Sequence, residues 1–163
     1  YEVRGFATPS KMLEIYSETM EKAGFDPLPT YLEPEQSPLA NSEMVSKYPL
    51  ILTTGARNIY FTHGQHRNVK ALIEKSPEPF AEIHPQTARR FNIEEGDQII
   101  VESNRGRIKV RALVTEDMRE GVVSIPHGWP GEANVNILTD VHCREPIMGY
   151  PQMKSQLCSI SKA

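Results

Sequence analysis

Tyr48-Pro-Leu-Ile-Leu-Thr-Thr-Gly-Ala-Arg-Asn-Ile-Tyr-Phe-Thr-His-Gly-Gln-His-Arg-Asn68 is where the chain changes character. Within it, Leu50 to Thr54 is apolar and β-prone, too short for a helix, and stops at Gly55, so it reads as a buried strand. A polar loop follows, carrying Arg57, His63, Gln65, His66, Arg67 and Asn68. Guanidinium, imidazole and carboxamide groups at that density suit an anionic, heteroatom-rich ligand better than a core. A loop arginine is by default a solvated charge. Here a strand ending in glycine lets backbone N–H groups approach a phosphate while an arginine clamps it through two bonds.

Downstream, Val69, Leu72 and Ile73 fall at helical spacing, and Ser76-Pro77-Glu78-Pro79 ends that short helix. Phe80 to Ile83 reads as a strand, His84 to Phe91 as a helical turn, and Gly96-Asp97 as a tight turn. Gln98 to Glu102 and Arg107 to Val114 form the clearest hairpin: Ile108, Val110 and Ala112 alternate with Arg107, Lys109 and Arg111. Val122 to Ile125 is a further strand, ending at Pro126-His127-Gly128-Trp129. At least five short strands, with turns close together and little helix between them, predict a small, mainly β barrel with short helices. From Pro130 onward periodicity fades, but Val135, Leu138, Leu157 and Ile160 give the segment enough apolar surface to wrap back over the barrel.

Upstream, Ser10 caps a predicted amphipathic helix over 11–23, with Met12, Leu13, Tyr16 and Met20 on one face and Gly24 as its stop. Pro27, Pro29, Pro34 and Pro38 then mark an extended connector. The predicted boundary separates residues 1–47, a helix and proline-rich connector from a preceding domain, from a barrel domain over 48–163. Tyr1 in place of methionine, with no signal sequence, makes the chain read as a piece of a longer protein.

Composition narrows the function. A net charge of −3 disfavours non-specific nucleic-acid binding, so an anion site must come from local arrangement. No apolar run reaches the ~18 residues of a membrane span. Cys143 and Cys158 make no Cys-x-x-Cys, so neither a disulfide framework nor a thiolate metal centre is indicated. His63 and His66 form a His-x-x-His pair, but without a helical pattern or a third ligand zinc is the weaker reading. Trp129 is either core or, beside Gly128, a stacking surface for a ligand ring. The Arg107, Lys109, Arg111 face reads as a solvated strand face. No nucleophile grouping, Gly-x-Gly-x-x-Gly or P-loop occurs, so the chain binds something without a catalytic centre of its own.

Several stretches in one order resemble a known family. They are Phe6-Ala-Thr-Pro-Ser10, Glu14-Ile-Tyr-Ser-Glu18, Asp26-Pro-Leu-Pro29, Tyr48 to Arg57, Glu82-Ile-His-Pro85, Gly96-Asp97, Arg105-Gly106, His127-Gly-Trp129, Asn136-Ile-Leu-Thr139 and Gly149-Tyr-Pro-Gln-Met-Lys154. Together they resemble the C-terminal part of the molybdopterin oxidoreductases, the dimethyl sulfoxide reductase superfamily, over nearly the whole chain.

The resemblance implies a double-psi β-barrel that holds part of a bis(molybdopterin guanine dinucleotide) carrying molybdenum or tungsten. It also implies a metal ligand and an iron–sulfur cluster in other domains of the same enzyme, with iron–sulfur and membrane subunits as further partners. The compartment implied is the bacterial or archaeal cytoplasm, or the periplasm after export in the folded state. By motif, Thr54, Gly55 and Arg57 resemble the strand-end turn that meets the cofactor. His63 with Gln65, His66, Arg67 and Asn68 resembles the loop along pterin and pyrophosphate, and His127, Gly128, Trp129, Asn136, Thr139 and Lys154 resemble a second set of contacts. The family commonly has Thr-Gly-Arg, so the inserted Ala56 leaves Arg57 and Asn58 as alternatives for the residue facing the cofactor. A rival use of a double-psi barrel is as a protein- or peptide-binding module.

Overall fold

The computed structural model describes residues 2–163, which divide into two compact units between Glu33 and Pro34. In the first unit the predicted helix shrinks to α1, Glu18–Lys22. Ser10 does not cap it: its hydroxyl and backbone N–H both bond Glu14, at 2.7 and 3.0 Å. Lys11 adopts φ +61 and its carbonyl accepts from Phe6 N–H, so residues 5–12 close a turn that no helix can run through. Ser17 is the cap in its place, accepting from Met20 N–H. Met12, Leu13 and Ile15 are exposed.

The second unit begins at Pro34. The connector is less extended than its prolines imply, because Asn41 accepts from Met44 N–H at 2.9 Å and starts α2, Ser42–Lys47. Next come β1 (Leu50–Thr53), α3 (Lys70–Ile73), β2 (Phe80–Ile83), α4 (Pro85–Arg90), β3 (Gln98–Glu102), β4 (Arg107–Val114), β5 (Val122–Ser124) and β6 (Gln156–Lys162). The six strands close into a barrel in the order β1-β5-β2-β4-β3-β6. β1 with β5 and β2 with β4 are parallel, and every other neighbouring pair is antiparallel. This is the mainly β, double-psi arrangement that the resemblance implies.

Alternation sets the inside of the barrel. In β4, Ile108, Val110 and Ala112 are buried while Arg107 and Lys109 are exposed, and the hairpin register opposes Ile108 to Val101 and Val110 to Ile99. Leu50, Leu52, Ala81, Ile83, Val123 and Cys158 complete that interior. β6 was absent from the expected strands: the segment after Pro130 does return to the barrel, but its last residues enter the wall, between β1 and β3. Among the described residues no helix is long and apolar enough to cross a membrane.

The parallel β1–β5 pair positions the site. Parallel neighbours end together, so the loops after Thr53 and Ser124 leave the same end of the barrel. Their pairing continues past the strands, with Ile125 N–H on Thr53 C=O at 3.0 Å, His127 N–H on Ala56 C=O at 3.2 Å, and a parallel bridge between Arg57 and His127.

Candidate functional site

Asn58 shapes the first loop. Its Oδ1 accepts from Tyr60 N–H at 2.9 Å, its Nδ2 donates to Ser76 Oγ at 2.8 Å, and its carbonyl accepts from Phe61 and Thr62. The Asn58 side chain is buried and committed to the turn, whereas Arg57 beside it is exposed. Phe61, also buried, meets Trp129 edge to face with ring centroids 5.5 Å apart. The two loops are packed together from below.

Above that contact they interlock through backbone. Gly128 has φ +109, and a Cβ placed there would lie 2.2 Å from the His63 carbonyl oxygen. Only glycine permits both the conformation and the approach. Arg67 Nη1 donates to the Gly128 carbonyl. His127 Nδ1 lies 3.2 Å from the Thr54 carbonyl, and His127 Nε2 lies 2.6 Å from His63 Nδ1. A carbonyl only accepts, so the proton sits on His127 Nδ1; in the neutral ring Nε2 then accepts from His63 Nδ1–H. His63 Nε2 is thereby left as an acceptor. His63 thus pairs with His127, and among the described residues no three His, Cys, Asp or Glu side chains converge as a metal site.

Between the loops lies a cavity of about 650 Å³. Of the residues singled out by sequence, Thr54, Gly55, Arg57, His63, Arg67, His127, Gly128, Trp129 and Asn136 line it. Lys154 approaches the same turn, its Cε 3.7 Å from the position of a Cβ on Gly55. Gln65 and His66 are exposed and Asn58 is internal; none of the three lines the cavity. Thr139 is likewise outside it, its hydroxyl donating to the Asn136 carbonyl at 3.1 Å. The lining also includes Asn134, another candidate polar contact of the segment after Pro130, together with Val135, Tyr150 and Met153, which the sequence reading did not select as contacts; Tyr150 and Met153 fall inside the Gly149–Lys154 stretch that carried the resemblance. Arg57 also borders a smaller cavity, about 320 Å³, on the other side of its loop.

The donor set fits a large polar anion. Arg57 and Lys154 supply positive charge, with Thr54, Asn134, Asn136 and the histidine pair as further hydrogen-bonding groups. Four buried side-chain atoms among the described residues have no partner: Trp129 Nε1, Gln152 Oε1 and both amide atoms of Gln156. An unpaired buried polar group costs about 1–3 kcal/mol. These belong to segments around the cavity: Trp129 lines it, Gln152 precedes Met153, and Gln156 opposes Leu52 just below Thr54.

Residues 50–157 match the molydopterin dinucleotide binding domain. The chain belongs to this family. Acetylene hydratase from Syntrophotalea acetylenica is 39% identical over 124 residues, covering 76% of this chain and 17% of its own. Dopamine dehydroxylase from Eggerthella lenta is 32% identical over 174 residues, covering 98% of this chain and 17% of its own. The solved structure of acetylene hydratase from Pelobacter acetylenicus aligns with TM-score 0.87 and 31% identity over 98% of this chain and 24% of that one. The chain thus spans about 17% of the length of these curated relatives. A cavity of about 650 Å³ opens at the end of that domain's barrel.

Proposed function

We propose that residues 48–163 hold one molybdopterin guanine dinucleotide of a bis(molybdopterin guanine dinucleotide) cofactor in a molybdenum or tungsten oxidoreductase. In this reading residues 1–47 lead from a preceding domain, with α1 in the first unit and α2 at the entry to the barrel. The observation that carries this reading is the cavity between the β1 and β5 loops, which brings Thr54, Gly55, Arg57, His63 and Arg67 together with His127, Gly128, Trp129 and Asn136, sixty or more positions away in the sequence. In this reading Arg57 and Lys154 neutralise pyrophosphate oxygens, and His63, Asn134 and Asn136 satisfy heteroatoms of the ring system. Arg67 spends a donor on the Gly128 carbonyl, so it braces the two loops as well as bordering the ligand. When bound, the cofactor supplies the metal and its dithiolene sulfurs; this domain anchors it and sets the surrounding field.

The metal ligand and an iron–sulfur cluster belong to other domains, with further subunits as electron partners. Work in the cytoplasm, or in the periplasm after folded export, suits the same reading. Relatives named as a hydratase, a dehydroxylase and a formate dehydrogenase share this domain, which supports a role in holding the cofactor while the reaction is decided elsewhere. The test is anaerobic purification of the full-length protein, with molybdenum and tungsten measured alongside the pterin and GMP released by acid. Stoichiometric pterin and GMP in the wild type, with a loss of about tenfold or more in Arg57→Ala, are expected. A wild-type protein devoid of pterin overturns the reading and favours the protein-binding use of the barrel.

A further inference from the structure

We infer that Gln156 is a ligand-positioning residue that reads the 2-amino-4-oxopyrimidine edge shared by pterin and guanine; this rests on the proposed dinucleotide site. Gln156 is 1% exposed, and both ends of its carboxamide lack a partner. It stands directly across from Leu52 on the neighbouring antiparallel strand, so its side chain shares the inward face with that core leucine. Leu52 is two residues short of Thr54, whose N–H donates to the Met153 carbonyl at 2.7 Å. Thr54 and Met153 both line the cavity. The unpaired carboxamide therefore sits directly beneath the ligand-facing end of the barrel.

The rest of the interior gives this position its meaning. Asn58, Ser76, Thr87, Ser103, Ser124 and Asp140 are also buried, and each has a hydrogen-bond partner. Among the described residues the unpaired atoms are confined to Gln156, Gln152 and Trp129, all in segments that frame one cavity. A carboxamide holds one acceptor beside two donors. The amino-oxopyrimidine edge offers a ring N–H beside a C=O, so the two can pair through parallel bonds, directly or across one enclosed water. A neutral glutamine recognises that edge without competing for the phosphates, which fall to the cations above it.

The full-length protein decides the matter. Gln156→Met preserves volume and removes both polar ends. Purified anaerobically, it is expected to hold about tenfold less pterin and GMP per polypeptide than wild type. Its cofactor-free form is expected to melt about 2–5 °C higher, because an unpaired buried amide has been removed. Gln156→Asn, which withdraws the carboxamide by one methylene while keeping its chemistry, is expected to lose cofactor as well, and it serves if the methionine variant fails to accumulate. Wild-type cofactor content in either variant overturns the inference. A wild type without cofactor instead overturns the proposed function. Titrating the cofactor-free protein with GMP and, separately, with 6-hydroxymethylpterin assigns the source: the ligand whose affinity falls in Gln156→Met is the ring that Gln156 reads.

Discussion

In the barrel wall Ser124 is buried with its hydroxyl bonded to Glu82, whereas at the mouth above β1 and β5 the Trp129 indole N–H is buried and bonded to nothing. The wall is also regular: inward and outward residues alternate and no described strand residue has a positive φ. The mouth is built from exceptions, including Gly128 at φ +109, Thr62 at φ +61 and two histidine rings in direct hydrogen-bond contact. The difference teaches where folding and binding divide. Apart from Gln156, whose carboxamide is unpaired, wall residues complete one another, so changing them costs stability; mouth residues leave capacity open, so changing them costs a ligand.

Leu52→Ala should break the wall most severely. The side chain is fully buried among core residues, and deleting it leaves a cavity, for an expected loss of about 2–5 kcal/mol in denaturant unfolding. Gly128→Ala comes next and acts at the mouth. Its new Cβ would collide with backbone at His63, which a rotamer change cannot relieve, so a loss of about 1–3 kcal/mol is expected. The His63–His127 bond should part with it, visible as a change of imidazole tautomer in nitrogen NMR. If Gly128→Ala kept both the stability and the histidine bond, the claim that the two loops are locked at this point would fail.

Arg57 and Asn58 sharpen the comparison because they are adjacent yet belong to opposite sides of it. Asn58→Ala strands Ser76 Oγ and Tyr60 N–H, and should lower stability by about 1–3 kcal/mol. Arg57→Ala removes an exposed guanidinium with no bonded partner and should leave unfolding within about 0.5 kcal/mol of wild type while weakening cofactor retention. Equal stability losses from the two would erase the distinction.

This pair also marks what could be read from sequence. The hairpin was legible because Arg107 to Ala112 writes its two faces in strict alternation, a local property. β6 was not. It opens with Gln156, a polar residue at an inward position, and its partners lie in β1 and β3, far away in the chain. The helix predicted over 11–23 had suitable periodicity but lost to Ser10–Glu14 bonding and the turn at Lys11. At the site, motif order named residues from distant parts of the chain that the fold brings around one cavity. The burial of Asn58 depends on Ser76, eighteen positions on, and the histidine pairing on a residue sixty-four positions on. Contacts at those separations leave no periodic trace in a sequence.

The smallest expected effect lies at the far edge of the wall, where Lys162 of β6 meets Asp97 at 2.8 Å. The hydrogen bond from Lys162, with a second from Glu94 N–H, holds the Asp97 carboxyl below the ordinary carboxylate range; the same bond holds the Lys162 ammonium above its ordinary value. A depressed carboxyl stabilises the fold above its unfolded pKa, and that contribution is lost as pH falls through the folded value. A raised ammonium stabilises below its unfolded pKa, and that contribution is lost as pH climbs through the folded value. Asp97→Asn should therefore flatten part of the melting-temperature profile below about pH 4 and above about pH 10, leaving little change between beyond loss of the pair itself. Because the pair is open to solvent, raising salt to about 1 M should shrink the difference from wild type. A variant whose acid and alkaline limbs match wild type at low salt would show that β6 is held by its strand pairing and interior side chains alone. The mouth should be indifferent throughout: cofactor retention in Asp97→Asn is expected to equal wild type, since the pair touches neither loop.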